Sequence, residues 1–159
     1  PVKDEWGKTI DGAETEFRFV ASSILPSPPD ANGVTTPADD DSMEGRTVSI
    51  VLARPRSGRW HQIRQHLASG TIGHAILGDS SHGRSRTNRI WKKKRHLMKE
   101  RVCLHLSRLR LPPSEYVPDG IDVTCPLPPD LITILEALPM ELLDAARPIL
   151  AEEGIRISR

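Results

Sequence analysis

The sequence predicts an α+β domain in which two strands precede a short helix and two further helices close the chain. Residues 14–23 and 46–54 are rich in the β-branched, aromatic and aliphatic side chains typical of strands. Residues 60–69 repeat apolar side chains at helical spacing, and so do the tail segments 129–138 and 140–152. With 159 residues, 37% of them hydrophobic, the chain is long enough to bury a core.

The two strand-like runs are predicted to pair as an antiparallel hairpin. In the first run, Thr15, Phe17 and Phe19 alternate and fall on one face of the strand. Residues 26–45 are rich in Pro, Asp, Gly and Thr, which predicts a disordered loop inserted between the strands. A third strand is expected over residues 102–111. It should end at residue 111, because two consecutive prolines follow.

The helix predicted at residues 60–69 carries its apolar side chains as one stripe. Trp60, Ile63 and Leu67 lie at positions i, i+3 and i+7, so we expect them to face the core. The last helix of the tail is expected to break or bend at Pro148, because proline removes a backbone donor from the helix.

Charge is strongly segregated along the chain, although the net charge is only +1. Residues 46–110 hold 16 basic and 2 acidic residues, a net of +14, together with all six histidines. Residues 1–45 hold 3 basic and 10 acidic residues, a net of −7, and residues 111–159 hold 3 and 9, a net of −6. A block this basic between acidic flanks indicates a polyanionic partner, and it favours nucleic acid over a merely solvated surface.

The densest part of the basic block is residues 84–101, with nine Lys or Arg and one acid. Flexible cations beside Trp91 are suited to phosphate contact with incidental base stacking, and the alternative is a solvated loop. The cations expected to bind phosphate are Arg84, Arg86, Arg89, Lys92, Lys93 and Lys94.

Arg64 is the main candidate for chemistry in the basic block. It borders the apolar stripe of its own helix, and a guanidinium held against a core requires a carboxylate or phosphate partner. A structural salt bridge to a local acid is the plainer alternative, yet the only acids of the block are Asp79 and Glu100, and neither is in obvious reach. The histidine spacing and the absence of a cysteine pair predict no metal site.

The cysteines and the hydropathy pattern indicate the cellular compartment in which the protein is expected. Cys103 and Cys125 match neither a ligand spacing nor a disulfide framework, so we expect a reducing, intracellular compartment. No apolar run approaches the length that spans a bilayer, and no secretory signal opens the chain, so no membrane partner is expected. The chain begins with Pro1 rather than Met, which suggests a fragment of a longer protein.

Three ordered motifs resemble the RluA-type pseudouridine synthase family. Residues 58–67 read GRWHQIRQHL where the family has Gly-Arg-x-His-Gln-Ile-Arg-x-His-Leu. Residues 74–79 read HAILGD against His-Pro-Ile-x-Gly-Asp, and residues 104–106 read LHL against Leu-His-Ala. The resemblance covers roughly residues 12–125.

A further segment resembles one branch of the family. Residues 78–83 read GDSSHG and are followed by Asn88-Arg89, which is similar to the branch that includes tRNA pseudouridine synthase C. This resemblance implies tRNA as the RNA partner. It also implies a mixed, mostly antiparallel sheet with flanking helices around an RNA cleft. Residues 1–125 would form the C-terminal part of that catalytic domain, and residues 126–159 a C-terminal helical extension.

The resemblance implies the isomerisation of uridine to pseudouridine in RNA without a cofactor or metal. The target nucleotide would be flipped into the site, where an aspartate acts as the nucleophile. Arg64 matches the basic residue that pairs with this aspartate, and Leu104 matches an apolar residue that lines the uracil pocket. Arg59, His61 and Gln62 would shape the cleft and meet the RNA backbone.

The family segment Arg-Leu-Asp, which carries the catalytic aspartate, occurs nowhere in the 159 residues. We therefore expect an upstream segment to supply it, and we expect these residues alone to be inactive. The alternatives are a non-catalytic RNA-binding module derived from the same fold, or an unrelated basic protein that binds DNA. A monomer is expected.

Overall fold

The structure, a computed structural model, describes residues 12–25, 47–70 and 72–157. The predicted α+β class is confirmed, and the described strands pair antiparallel in two separate two-stranded sheets. In chain order the elements are β1 (Thr15–Ile24), β2 (Thr47–Pro55), α1 (Gln62–Ala68), α2 (Ser85–Lys94), β3 (Arg108–Leu111), β4 (Ile121–Thr124), α3 (Pro129–Glu136) and α4 (Met140–Glu152). No helix among these is long and apolar enough to cross a membrane.

The predicted hairpin is confirmed as β1 paired with β2, from Thr15 opposite Pro55 to Ile24 opposite Thr47. The register shifts between Phe19 and Ala21, so the residue between them forms a bulge. Because of this bulge, two successive residues, Val20 and Ala21, are both buried, which strict alternation would not allow. Of the three residues predicted to share one face, Thr15 is buried and Phe17 partly buried, whereas Phe19 is exposed. The predicted loop at 26–45 lies outside the described residues.

The core forms where β1 meets α2 and the two tail helices. Ile90 and Trp91 of α2 pack in one cluster with Val20, Ala21 and Leu25. The tail adds apolar side chains at helical spacing, namely Leu131, Ile134, Leu138, Leu142, Leu143, Ala146 and Leu150. Full burial of each large aliphatic side chain contributes roughly 1.5–3 kcal/mol. The hydrophobic cluster therefore joins the hairpin to the C-terminal helices.

The tail helices begin and end close to the predicted positions. The helix predicted to break or bend at Pro148 does not break there, because α4 continues through that residue to Glu152 and keeps Pro148 exposed; the bend stays a prediction. Salt bridges from Arg18 to Glu152 and from Arg54 to Glu153 connect the end of α4 to the hairpin. The domain boundary at residue 125 stays a prediction.

Residues 84–101 are not a solvated loop. They contain α2, and the indole of Trp91 is only 2% exposed, so it packs in the core and is closed to nucleotide stacking. The third strand is shorter than predicted, because β3 comprises only Arg108–Leu111. It pairs with β4, a strand that the sequence analysis missed, and the Arg108–Asp122 salt bridge spans the two.

Helix α1 buries a polar face instead of the predicted apolar stripe. Trp60 lies in the turn before the helix and is 80% exposed, and Ile63 and Leu67 are only partly buried. The buried residues of α1 are Gln62 and His66, four positions apart on one face. Both side chains hydrogen-bond the Thr15 hydroxyl of β1, and these polar contacts decide which face of α1 turns inward.

Gly78 offers a test of how closely two segments approach. Its φ is +82°, and a Cβ there would lie 1.7 Å from the backbone oxygen of Arg101. We expect Gly78→Ala to lower the free energy of unfolding by more than about 2 kcal/mol, from backbone strain and steric overlap. Urea denaturation of the protein that carries this chain measures the change. Gly58→Ala, where a Cβ meets nothing within 4 Å, is the matched control, and equal effects of both variants would contradict this packing.

Candidate functional site

The turn between β2 and α1 is built around the Gln62 amide. Its oxygen accepts hydrogen bonds from the Ser57 hydroxyl and the Arg59 backbone N–H, each at 3.0 Å. Its nitrogen donates to the Glu14 carbonyl at 2.7 Å and to the Thr15 hydroxyl at 2.9 Å. The side chain is buried and both ends are occupied by protein, so its part is to shape the turn. The Gln62 amide, predicted to contact RNA, is therefore already occupied by hydrogen bonds within the protein.

Arg64 and Asp79 form a bidentate ion pair at the centre of the site. Arg64 Nε donates to Asp79 Oδ2 and Nη2 donates to Oδ1, both at 2.8 Å. The carboxylate is completely buried and the arginine side chain is 16% exposed. A buried carboxylate requires such a partner, because its desolvation is costly. The sequence offered no acid in obvious reach of Arg64, and the fold supplies one from fifteen residues away.

The Asp79 carboxylate also holds the turn that follows it. Oδ1 accepts the backbone N–H groups of Ser81 and His82, each at 2.9 Å. The hydrogen bond from Arg64, followed by these backbone bonds, holds the pKa of Asp79 well below its usual range despite burial. A Cβ at Gly83 would lie 2.1 Å from the Asp79 backbone oxygen, so the turn closes tightly. Asp79 is therefore ionised, and four hydrogen bonds from protein donors hold its carboxylate.

Asn88 connects this turn to α2. Its side-chain oxygen accepts the Gly78 N–H at 2.9 Å, and its nitrogen donates to the Asp79 carbonyl at 2.8 Å. Asn88 is buried on the same side of α2 as Trp91. Helix α2 is thereby fixed to the turn whose Asp79 carboxylate binds Arg64.

His61 joins the ion pair to a second histidine. Its Nε2 lies 2.9 Å from Arg64 Nη1, which can only donate, so His61 Nε2 is an unprotonated acceptor. Its Nδ1 lies 3.3 Å from His82 Nε2. Burial, the Arg64 charge and His82 lower the pKa of His61, which agrees with a neutral ring. His61 has φ +52°, a left-handed conformation that is strained for a non-glycine residue.

The predicted phosphate-binding cations lie on α2 and at its start. Arg89, Lys92 and Lys93 are exposed and, at spacings of three and four residues, share the face opposite Trp91. Of the remaining predicted cations, Arg84 and Lys94 are exposed and Arg86 is partly buried. α2 is thus amphipathic, with an apolar inner face and a basic outer face.

Two other predicted residues are exposed. Arg59 lies in the turn before α1, and Leu104 lies on the segment that crosses Gly78. Cys103 donates its backbone N–H to the Leu77 carbonyl at 2.8 Å, which places that segment beside the Asp79 turn. The assignment of Leu104 to a uracil pocket stays a prediction.

Sequence reasoning missed the role of Asp79, of Asn88 and of the exposed Trp60. One signal could have indicated Asp79: it is one of only two acids among 16 cations in the basic block. Within the described ranges, no group of three His, Cys, Asp or Glu residues is placed to hold a metal ion.

Comparison with known proteins gives matches by sequence. No family model and no solved structure matches the chain. The chain is 30% identical over 110 residues to tRNA pseudouridine synthase C of Vibrio cholerae, covering 69% of this chain and 43% of that protein. It is 34% identical over 116 residues to tRNA pseudouridine synthase C of Yersinia pestis, covering 66% and 44%.

A third relative is the ribosomal large subunit pseudouridine synthase D of Zymomonas mobilis, 38% identical over 69 residues, with 40% of this chain and 19% of that protein covered. The chain thus spans less than half the length of these relatives. The names of these relatives agree with the family that the motifs at residues 58–67, 74–79 and 104–106 resemble. The chain therefore belongs to the RluA-type family of RNA pseudouridine synthases and matches part of the length of its tRNA-modifying members.

Proposed function

We propose that this chain forms part of the catalytic and RNA-binding surface of an enzyme that converts uridine to pseudouridine in tRNA. Relatives named tRNA pseudouridine synthase C support this proposal, and so does the net charge of +14 over residues 46–110. The observation that carries it is the geometry of Arg64, whose guanidinium is fixed by Asp79 and His61 and still has donor hydrogens to offer.

A guanidinium has five N–H donors in one plane. Asp79 takes one hydrogen of Nε and one of Nη2, and His61 takes one of Nη1. One hydrogen on Nη1 and one on Nη2 are not taken by these contacts, so the guanidinium can donate to a second carboxylate without releasing Asp79. We assign that place to the catalytic aspartate of the family, whose Arg-Leu-Asp segment the 159 residues do not contain. Arg64 would then hold the nucleophile in position and keep it ionised.

Asp79 is unsuited to be the nucleophile itself. It is fully buried, and its oxygens accept hydrogen bonds from Arg64 and from two backbone N–H groups. A nucleophilic carboxylate needs an oxygen that can approach the substrate. Asp79 is therefore a positioning residue that orients Arg64.

The outer face of α2 is the proposed contact with the RNA backbone. Arg89, Lys92 and Lys93 present charge at helical spacing, and burial of Trp91 keeps the helix in place. Neutralisation of phosphates by such cations supplies much of the affinity of nucleic-acid complexes. Because Asn88 fixes α2 to the Asp79 turn, RNA held on this face would have a set position relative to Arg64.

A non-catalytic RNA-binding module is the second candidate. The observation that favours it is that, among the described residues, the carboxylate bonded to Arg64 is the structural Asp79. The two candidates differ in one measurement, the release of tritium from RNA labelled at C5 of uridine, since pseudouridine formation expels that hydrogen. RNA binding with no release by the whole protein that carries this chain would favour the module.

Replacement of Arg64 tests its proposed part in catalysis. We expect Arg64→Ala to reduce pseudouridine formation at least 100-fold, because the nucleophile loses a charged donor in the site. RNA affinity should change less than about threefold, since the α2 cations remain. Tritium release and filter binding measure the two quantities. Arg54→Ala, which removes an exposed arginine of β2, is the matched control. Full activity of Arg64→Ala would exclude the role.

Replacement of Lys92, Lys93 and Lys94 by Gln tests the phosphate contact. We expect weaker tRNA binding and a shallower dependence of the binding constant on salt, with the logarithmic slope reduced by roughly 0.7–0.9 for each phosphate that the variant no longer neutralises. Affinity is measured between low and physiological salt. Arg156→Gln, an exposed arginine of the tail, should leave the slope unchanged. A slope that stays the same in the triple variant would show that these lysines do not bind phosphate.

The neutral state of His61 predicts a dependence of stability on pH. Because the fold lowers the pKa of His61, the unfolded chain binds more protons as the pH falls below about 6.5. The free energy of unfolding should therefore fall as the pH drops from about 6.5 toward the lower pKa of the folded state, and protonation would also remove the acceptor for Arg64. Denaturation at pH 8 and pH 5.5 measures this loss. We expect His61→Gln to reduce it and the exposed-residue control His74→Gln to retain it; equal losses in both would contradict the assignment.

A further inference from the structure

Trp60 is a large apolar side chain that the fold leaves in solvent beside Arg64. It exposes 80% of its surface, although its sequence position suggested the core. It is nevertheless held in place, because its indole stacks on the His61 ring with centroids 4.3 Å apart and planes 25° apart. The Trp60 carbonyl also accepts a hydrogen bond from Gln65 Nε2 at 3.0 Å. An exposed indole that stacks on a neighbouring ring through one face can offer its other face to a partner.

The contacts of His61 set the position of this indole. His61 binds Arg64 through Nε2 and lies edge-on to His82, with centroids 5.5 Å apart. One face of the Trp60 ring is covered by His61, and among the described residues the other face is open to solvent. The orientation of the open face is therefore tied to the same contacts that hold the Arg64–Asp79 ion pair.

The surroundings of Trp60 favour a nucleobase as the occupant of the open face. Its neighbours are the exposed Arg59 and the polar Gln65, so an apolar protein segment laid on the indole would have to desolvate the Arg59 charge. An unpaired base instead offers a flat face to the indole and a phosphate to the arginine. The net charge of +14 over residues 46–110 complements that phosphate.

We propose that Trp60 stacks on an unpaired base of bound RNA that neighbours the nucleotide directed toward Arg64. This inference rests on the proposed function for RNA as the partner, and it adds a residue and a contact that the family motif leaves undefined, since Trp60 occupies its variable position. It accounts for an exposed tryptophan in the middle of that motif. It also restricts this contact to single-stranded RNA, because a base inside a duplex has no free face.

Binding of a single-stranded oligouridylate of about 12 nucleotides tests the contact, in the whole protein that carries this chain. We expect Trp60→Ala to weaken binding roughly tenfold, and Trp60→Phe, which keeps an aromatic face, to weaken it less than about threefold. Tyr116→Ala is the matched control, because Tyr116 is 89% exposed in the turn between β3 and β4. Thermal denaturation should be unchanged in Trp60→Ala, since the side chain is exposed.

Fluorescence provides a second measurement that reports on Trp60 directly. In a background where Trp6 and any tryptophan outside the 159 residues are replaced by Phe, the remaining tryptophans are Trp60 and the buried Trp91. Acrylamide should quench Trp60 in the free protein, and oligouridylate should quench it on binding and protect it from acrylamide. A duplex of the same length should do so much less.

The outcomes separate this inference from the proposed function. If the wild-type protein binds oligouridylate and Trp60→Ala binds it equally well, the stacking contact is excluded and the RNA partner stands. If acrylamide does not reach Trp60 in the free protein, another part of the protein covers the indole and the inference is overturned. If the wild-type protein binds neither oligouridylate nor tRNA, the proposed function fails and the inference fails with it.

Discussion

The buried ion pair between Arg64 and Asp79 is the interaction on which the rest of the site depends. A carboxylate with no exposed surface is tolerated because a bidentate guanidinium and two backbone N–H groups replace its hydration. The pair joins α1 to the turn at residues 78–83. Asn88 then joins that turn to α2, so hydrogen bonds connect all three segments.

The hydrophobic core stabilises the fold, while the hydrogen-bonded segments around Asp79 position the exposed charged side chains. The inner face of α2 contributes Ile90 and Trp91 to the core with β1, α3 and α4, while its outer face carries exposed cations. A helix anchored on one side can present charge on the other without losing its position. The same division applies to α1, whose buried residues are Gln62 and His66 and whose guanidinium faces Asp79.

Trp60 and Trp91 lie in environments opposite to those that the sequence predicts, since Trp60 is exposed and Trp91 is buried. The periodicity of residues 60–69 predicts Trp60 in the core, but α1 begins two residues later and leaves Trp60 in the preceding turn. The surrounding lysines and arginines predict Trp91 beside phosphate, but a helix turns it to the side opposite Arg89 and Lys93. Both predictions are wrong for the same reason, since the local conformation decides which way a side chain points.

The amino-acid sequence was enough to predict the α+β class, the hairpin, the positions of the tail helices and the family motifs, because these depend on local periodicity and residue order. The partner of Arg64, the pairing of β3 with β4 and the bulge that buries both Val20 and Ala21 could not be predicted in this way. Those features depend on which segments meet in space. Asp79 lies fifteen residues from Arg64, and the fold places its carboxylate 2.8 Å from the guanidinium, in a turn that closes tightly at Gly83.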